Sequence, residues 1–173
     1  MSSVVNKGSN KTGMEPLVGE RPKILILGTL PGDESLAKQE YYANSSNRFW
    51  KVIFEIFGKN DIPADYKSRK EFLVDNGIAL WDTIKEAERK GCTDSNISKE
   101  MFNDVTGFLK KYPTIKVVAF NGKKAKEYFA EYSAGTEFPE DVTTMFLLST
   151  SSANCRYSLS DLVKNWSQLI VRE

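Results

Sequence analysis

The chain has 173 residues, with 24 Lys and Arg against 23 Asp and Glu, and it contains no histidine. This length is sufficient for one domain with a hydrophobic core. The absence of histidine excludes the Ser-His-Asp and Cys-His catalytic arrangements and every His-ligated metal site. Acid–base chemistry must therefore come from carboxylates, lysine, tyrosine or positioned water.

Two cysteines, Cys92 and Cys155, are too few for a four-thiolate zinc site, an iron–sulfur cluster or a disulfide-rich scaffold. No apolar run approaches the ~20 residues that a membrane-spanning helix needs, and the first residues lack a signal-peptide core. We therefore expect a soluble, intracellular protein. The formal charge of +1 argues against bulk electrostatic binding to DNA, but it is compatible with a small site that grips a few phosphates.

Residues 1–21 are polar and aperiodic, and we expect them to form a flexible tail before one domain over residues 22–173. Four short apolar runs follow, each continuous rather than alternating, as is typical of strands buried on both faces. These runs are residues 24–27, 78–81, 117–120 and 145–148.

Helical patterns separate these runs, and two of them begin with capping signals, Ser68 with Glu71 and Ser158 with Asp161. Strands that alternate with helices predict an α/β fold, a three-layer α/β/α sandwich around a small, mostly parallel four-stranded sheet. The apolar stripes are residues 49–57, 72–73, Met101 with Val105, Phe108 and Leu109, residues 125–132, and residues 159–170.

Ligands of parallel sheets bind outside the carboxyl ends of the strands, so the segments that follow the four runs are the candidates for a site. After the first run, Gly28 permits close approach of a flat ligand and Pro31 stiffens the turn, although an ordinary strand-exit turn explains both equally. The turn lacks the Gly-Lys-Ser/Thr ending of a phosphate-binding loop. Further on, Tyr42 precedes a helix, where it is available to stack on a planar ring. Asn47 lies near the start of that helix, either as its cap or to hold a water.

Asn121 directly follows the third run. An Asn-Gly pair most often makes a turn, yet an amide here can donate and accept at once, as the reading of a base edge requires. Lys123 begins the next helix, where solvent exposure is the usual explanation for a lysine. The segment after the fourth run suits either a grip on a phosphate backbone or a generic loop. Its candidate contacts are Ser149, Thr150, Ser151, Ser152, Asn154 and Arg156.

In chain order, the motifs GTLPG, YYANSSNRFW, GIALWDTI, VVAFNGKKA and STSSANCRYSLSDLVKNW resemble the uracil-DNA glycosylase superfamily. The resemblance extends from about Lys23 to Leu169. It is greatest to the hypoxanthine (deoxyinosine) DNA glycosylase branch, which is related to mismatch-specific uracil/thymine DNA glycosylases. It implies a monofunctional DNA glycosylase of base-excision repair, which flips a deaminated base out of DNA and hydrolyses its N-glycosidic bond without metal or cofactor. We expect a monomer, in the cytoplasm of a bacterium or the nucleus of a eukaryote.

The resemblance also implies residue roles. Tyr42 stacks on the flipped base and Asn121 reads its edge. The last segment, together with Lys123, contacts the DNA backbone. The first turn faces the base and the sugar through Gly28, Thr29, Leu30 and Pro31.

Leu30 departs from the pattern, because mismatch-specific relatives carry a catalytic Asn at that place. Asn47 is then the candidate for positioning the water. The nearby carboxylates Asp33, Glu34 and Asp82 are expected to be structural.

Three alternatives remain open at the level of sequence. The first is a uracil or mismatch-specific DNA glycosylase. The second is a catalytically inactive domain that binds damaged nucleic acid, having lost catalysis with the polar residue replaced by Leu30. The third is a flavodoxin-like small-molecule binder, which the absence of a phosphate-binding turn disfavours.

Overall fold

The structure is a computed structural model that describes residues 8–90 and 96–170. Cys92 lies outside these ranges. The strands are β1 (Ser9–Thr12), β2 (Ile24–Gly28), β3 (Ile78–Asp82), β4 (Ile84–Arg89), β5 (Ile97–Phe102), β6 (Val117–Asn121) and β7 (Thr143–Leu147). The helices are α1 (Asp33–Lys38), α2 (Phe49–Ile56), α3 (Tyr66–Asp75), α4 (Val105–Lys111), α5 (Lys123–Ser133) and α6 (Leu159–Trp166), and a 3-10 turn, Ser167–Leu169, follows α6.

The central sheet contains the four predicted strands, all parallel, in the order β3-β2-β6-β7. Side chains alternate across it, so that Ile26 joins a core cluster with Phe49 and Trp166, while Leu25 and Leu27 join a second cluster with other helices. Helices α2, α3 and α6 supply the first cluster, and α4 and α5 supply the second. The predicted α/β/α sandwich is therefore confirmed.

The capping signals had different outcomes. At α6, the Ser158 hydroxyl accepts from the Asp161 N–H at 3.1 Å, and the Asp161 carboxylate accepts from the Ser158 N–H at 2.9 Å. The bond from the Ser158 backbone holds the pKa of Asp161 below its ordinary value. The predicted cap at Ser68 is wrong, because Asp65 caps α3 one turn earlier and accepts from the Ser68 N–H at 2.9 Å.

A second, antiparallel sheet of order β1-β4-β5 was not predicted. Strand β4 reads IKEAER and buries alternate positions, including Arg89, so it lacks the continuous apolar run of the central strands. Strand β5 contains Met101, which was predicted to belong to a helix and is instead 56% exposed. The helical stripe begins only at Val105, after the Asp104 cap.

The predicted flexible tail is wrong for residues 9–21. Strand β1 pairs with β4, and Leu17 exchanges two backbone hydrogen bonds of 2.9 Å with Leu80 of the central sheet. The side chains of Met14 and Leu17 are buried in the first core cluster. Scattered apolar residues in a polar segment give no periodic signal, so only the contacts reveal that this segment is structural. Residues 1–7 lie outside the described ranges.

Leu17→Ala tests whether this segment is part of the core. Leu17 is 8% exposed, and its truncation is expected to lower the free energy of unfolding by about 2–4 kcal/mol through lost burial and a cavity. Met101→Ala is the matched control, at a 56% exposed position where about 0.5 kcal/mol or less is expected. Urea unfolding at 25 °C measures both, and equal effects would show that the segment contributes no packing.

Candidate active site

The parallel register places the ends of neighbouring strands side by side at one edge of the central sheet. Gly28 of β2 is paired with Asp82 of β3, and Asn121 of β6 is paired with Leu147 of β7. The segments that the sequence singled out therefore meet at this edge, which we call the carboxyl edge of the sheet.

Asn121 is held by three hydrogen bonds at this edge. Its Nδ2 donates to the Tyr42 hydroxyl at 3.0 Å and to the Thr150 hydroxyl at 3.0 Å. Its Oδ1 accepts from the Thr150 backbone N–H at 3.0 Å. A backbone N–H can only donate, so the oxygen of the amide must face the Thr150 N–H and the orientation of the amide is fixed. The structure thus brings three predicted site residues into direct contact.

Tyr42 is rigidly placed beside this amide. Its ring stacks on Phe49, with centroids 3.9 Å apart and planes inclined by 16°. Phe49 is fully buried, so the stack joins the site to the core beneath it. The backbone of Tyr42 has a φ of 54°, in the left-handed region that a bulky residue rarely adopts. Packing and the bond to Asn121 hold the ring in this conformation.

Gly28 leaves no room for a side chain. A Cβ atom there would lie 2.6 Å from Asp82 Oδ1 and 3.7 Å from the Tyr42 hydroxyl. Asp82 itself is 6% exposed. Burial, and next the charge of Asp82, raise the pKa of Tyr41 above its ordinary value. The Tyr41 hydroxyl therefore stays protonated, and it donates to the Glu15 carbonyl at 2.8 Å.

The turn after β2 is anchored by Arg89 of the antiparallel sheet. This fully buried side chain donates to the Pro31 carbonyl at 2.7 Å and to the Leu30 carbonyl at 3.3 Å. It also lies 3.3 Å from Asp33, which Lys11 of β1 contacts at 3.0 Å. The carboxylate of Asp33 is thus structural. Sequence reasoning missed Arg89, because its partners are 58 and 59 residues away.

The side chain of Leu30 does not lie where the predicted contact with a base requires it. It is buried in a small cluster with Ile84 and Ala87, between the turn and the antiparallel sheet. Its predicted contact with a base is therefore wrong for the side chain. Thr29 is also buried, and its carbonyl accepts from the Ile84 N–H at 3.0 Å. Gly28 of this turn adjoins the Tyr42 hydroxyl, which would lie 3.7 Å from a Cβ atom at that position.

Asn47 directly precedes Arg48, the N-cap residue of α2, and its side chain bonds to the first residue of that helix. Its Oδ1 accepts from the Phe49 N–H at 2.9 Å, in agreement with the structural reading of this residue. The next residue, Arg48, donates its backbone N–H to the Thr150 carbonyl at 3.0 Å. Asn47 is therefore adjacent in the chain to the residue that bonds to Thr150, which is the partner of Asn121. This position is compatible with both the structural role and the water-positioning role of Asn47.

The segment of residues 149–157 after β7, which we call the final loop, is folded by its own hydroxyl and amide groups. Ser149 Oγ accepts from the Ser151 N–H at 3.2 Å, and Asn154 Nδ2 donates to the Ser149 carbonyl at 3.0 Å. Ser152 contacts Ser46 at 3.2 Å between hydroxyl oxygens. Arg156 is exposed and lines a cleft of about 640 Å³ with Lys164 of α6.

Arg48 holds the final loop from below and was missed by sequence reasoning. Its guanidinium donates to the carbonyls of Tyr157, Asn154 and Ser151, at 2.6, 2.8 and 3.4 Å. The motif NRFW contained this residue, but no local pattern indicates partners 103 to 109 positions away. Lys123 is exposed on α5 and lies 3.7 Å from Glu127, so solvation accounts for its position.

Within residues 8–90 and 96–170, no helix is long and apolar enough to cross a membrane. Nor do three acidic or cysteine side chains of these ranges converge as a metal site would require.

Comparisons with known proteins agree with the observed architecture. The chain is 39% identical over 163 residues to a hypoxanthine DNA glycosylase of Methanosarcina barkeri, across 94% of this chain and 99% of the relative. It is 38% identical over 148 residues to a hypoxanthine DNA glycosylase of Methanosarcina acetivorans, across 86% of this chain and 90% of that relative.

A solved structure shares the fold. The solution NMR structure of a candidate uracil DNA glycosylase from Methanosarcina acetivorans matches with a TM-score of 0.76 and 36% identity, over 94% of this chain and 99% of that one. The sequence model of the uracil DNA glycosylase superfamily matches residues 16–170. Since this match includes every strand of the central sheet and the residues at its carboxyl edge, the chain belongs to the uracil DNA glycosylase superfamily.

Proposed function

We propose that this chain is a monofunctional DNA glycosylase that flips a deaminated base, hypoxanthine first, out of DNA and hydrolyses its N-glycosidic bond. The observation that carries the proposal is the amide of Asn121, oriented by Thr150 and Tyr42 at the carboxyl edge of the sheet. Membership of the superfamily and the nearly full-length similarity to two hypoxanthine DNA glycosylases support it.

Base selection follows from the chemistry of an oriented amide. Hypoxanthine presents a carbonyl beside a ring N–H, whereas adenine presents an amino group beside an unprotonated nitrogen. One lone pair of Asn121 Oδ1 accepts from Thr150, and the second is available to the ring N–H of the base. When the base binds, its carbonyl accepts one of the two Nδ2 hydrogen bonds that the Tyr42 and Thr150 hydroxyls accept in its absence, and the displaced hydroxyl can rotate away. Reversing the amide would set its NH2 group against the Thr150 N–H, so adenine is disfavoured.

The stacked pair of Tyr42 and Phe49 supplies a platform for the flipped base. Phe49 stacks on one face of the half-buried Tyr42 ring, and the proposal places the flipped base on the opposite face. A base stacked on an aromatic ring gains about 1–3 kcal/mol, which offsets part of the few kcal/mol that flipping costs. A mispaired base is cheaper to flip, and this gives part of the selectivity.

Asn47 positions the attacking water in this proposal. Its bond to the Phe49 N–H holds the amide in place, and the remaining lone pair of Oδ1 accepts a hydrogen of the water. The water oxygen forms a bond to the sugar C1′ as the C1′–N bond breaks, the base departs with the electron pair, and the proton that the water loses passes through solvent to the departing base. With no histidine in the chain, neutral donors stabilise the departing base, and Asn121 is the first of them.

Uracil is the second candidate base. It presents the same arrangement of a carbonyl beside a ring N–H, and the similar solved structure is that of a candidate uracil DNA glycosylase. The proposal takes the enzyme to act as a monomer, with the DNA contacts supplied by the final loop.

An excision panel tests the reaction. Duplexes that carry one deoxyinosine, deoxyuridine or deoxyxanthosine are incubated with the protein and treated with alkali, which cleaves the strand wherever a base has been removed. We expect scission at deoxyinosine, and none in an unmodified duplex. Cleavage at deoxyuridine alone would transfer the assignment to uracil. Tight binding to the lesions without cleavage would identify a catalytically inactive binding domain.

Asn47→Ala separates catalysis from capping. Loss of a positioned water is expected to lower the single-turnover rate about 100-fold or more, whereas loss of the cap costs about 1 kcal/mol of stability. Asn47→Ser keeps a capping oxygen but is too short to hold the water, so it is expected to be stable and slow. Asn44→Ala is the matched control, since it removes a comparable bond to the Ser46 N–H in the same loop. Wild-type rates in Asn47→Ser would leave capping as the only role of Asn47.

Asn121→Ala is expected to change which base is removed, since it eliminates the oriented amide. The measured quantity is the ratio of single-turnover rates on deoxyinosine and deoxyadenosine, because these two bases present opposite donor and acceptor patterns to the amide. Asn165→Ala is the matched control, because Asn165 of α6 accepts from the Leu148 N–H at 2.8 Å, two residues before Thr150. The control should lower stability and leave the ratio unchanged. An unaltered ratio in Asn121→Ala would contradict the base-reading role.

A further inference from the structure

We infer that Arg48 is a positioning residue that turns the peptide groups of the final loop, so that the loop presents backbone N–H donors to a DNA phosphate. This inference rests on the proposed function and assigns the chemistry of its DNA contact. The residue itself need not touch DNA, because its guanidinium lies beneath the loop.

The Arg48 guanidinium bonds to the backbone of the final loop. The Arg48 guanidinium donates to three backbone carbonyls and no side chain of the loop, at 2.6 Å to Tyr157, 2.8 Å to Asn154 and 3.4 Å to Ser151. Its own backbone N–H donates to the Thr150 carbonyl at 3.0 Å. Four carbonyls of one loop therefore bond to Arg48, directly before α2, and the Ser151 carbonyl also accepts from the Asn154 N–H at 3.0 Å. Only the planar, multiple-donor geometry of arginine can satisfy three carbonyls spread over seven residues.

The charge of the Arg48 guanidinium also affects anion binding at the loop. In the described part of the chain, Arg48 takes part in no ion pair. Loop carbonyl dipoles alone compensate the positive charge. A surplus positive charge thus lies directly under the loop, where it favours an anion on the outer surface.

The planarity of the peptide bond determines where the N–H groups of the loop point. In a trans peptide group, the N–H points opposite to the carbonyl. Because the Ser151 and Asn154 carbonyls face Arg48, the N–H groups of Ser152 and Cys155 point away from it. Both residues are exposed, and among the described residues neither N–H has a protein acceptor. Of the other two such N–H groups, that of Ser158 is used by the Asp161 cap, and that of Ser151 donates to Ser149 Oγ at 3.2 Å.

Two outward N–H donors above Arg48 form a grip for a phosphate oxygen, and backbone N–H groups are common phosphate contacts in protein–DNA complexes. Such a grip needs no cationic side chain that touches the phosphate. It explains how a chain with a formal charge of only +1 engages DNA. Exposed Arg156 then adds one ordinary cationic contact beside this grip.

The test compares charge with geometry. Binding is measured to a duplex with one tetrahydrofuran abasic-site analogue, which does not depend on base specificity, across about 50 to 200 mM salt. We expect Arg48→Lys, which keeps the charge but not the three bonds, to bind about ten-fold more weakly or worse, with the wild-type salt slope. Thermal unfolding of each variant confirms that it is folded at the assay temperature.

Arg156 provides the matched control. Arg156→Lys is expected to bind like the wild type, and Arg156→Ala should reduce the slope of log K against log salt concentration by about one. Wild-type affinity in Arg48→Lys would overturn the inference, because a charge alone would then be enough.

A second variant avoids any folding defect at Arg48. Ser152→Pro deletes one outward N–H, whereas Ser152→Ala keeps it and loses only the hydroxyl, and we expect the proline variant to bind more weakly than the alanine variant. Equal binding by these two variants would also overturn the inference. If the wild-type protein binds no DNA, both this inference and the proposed function fail. If it binds and excises normally while Arg48→Lys is unaffected, only this inference fails.

Discussion

The parallel register of the central sheet is the constraint on which the site depends. Because β2, β3, β6 and β7 run in one direction, residues that are far apart in the chain end at the same edge. Gly28 must be a glycine there, since Asp82 Oδ1 occupies the space of a Cβ atom. The Asn121 amide then lies between Tyr42 and Thr150 with its orientation set by a backbone N–H. Each feature of the proposed base pocket thus follows from the alignment of strand ends.

Two arginines hold the loops on either side of this edge in the same way. Arg89 donates to carbonyls of the turn after β2, and Arg48 donates to carbonyls of the final loop. In both loops carbonyl oxygens are drawn towards a guanidinium, and in the final loop this adds to the bonds that the loop's own side chains make. The bonds compensate the burial of charge, which would otherwise be costly. Preorganised dipoles of this kind are what a pocket without histidine requires.

Much of the fold followed from local signals. The four central strands were visible as continuous apolar runs, and the Ser158–Asp161 cap is an interaction over three residues. The antiparallel sheet was not visible, because β4 alternates apolar and charged residues around a buried Arg89. Residues 9–21 were mistaken for a tail because their scattered apolar residues give no periodic signal. Leu17 gains its structural role only from pairing with Leu80.

The sequence by itself determined the layered α/β architecture, the edge at which a site forms and the amide and aromatic groups available there. These depend on hydrophobic periodicity and on residues that adjoin a strand end. Only the tertiary structure decided that Leu30 packs inward, that Asn47 bonds to the first residue of α2, and that Arg48 and Arg89 support the loops. The physical reason is that a carbonyl acceptor is common to every residue type. A contact between an arginine and a distant backbone therefore leaves no trace in the order of the side chains.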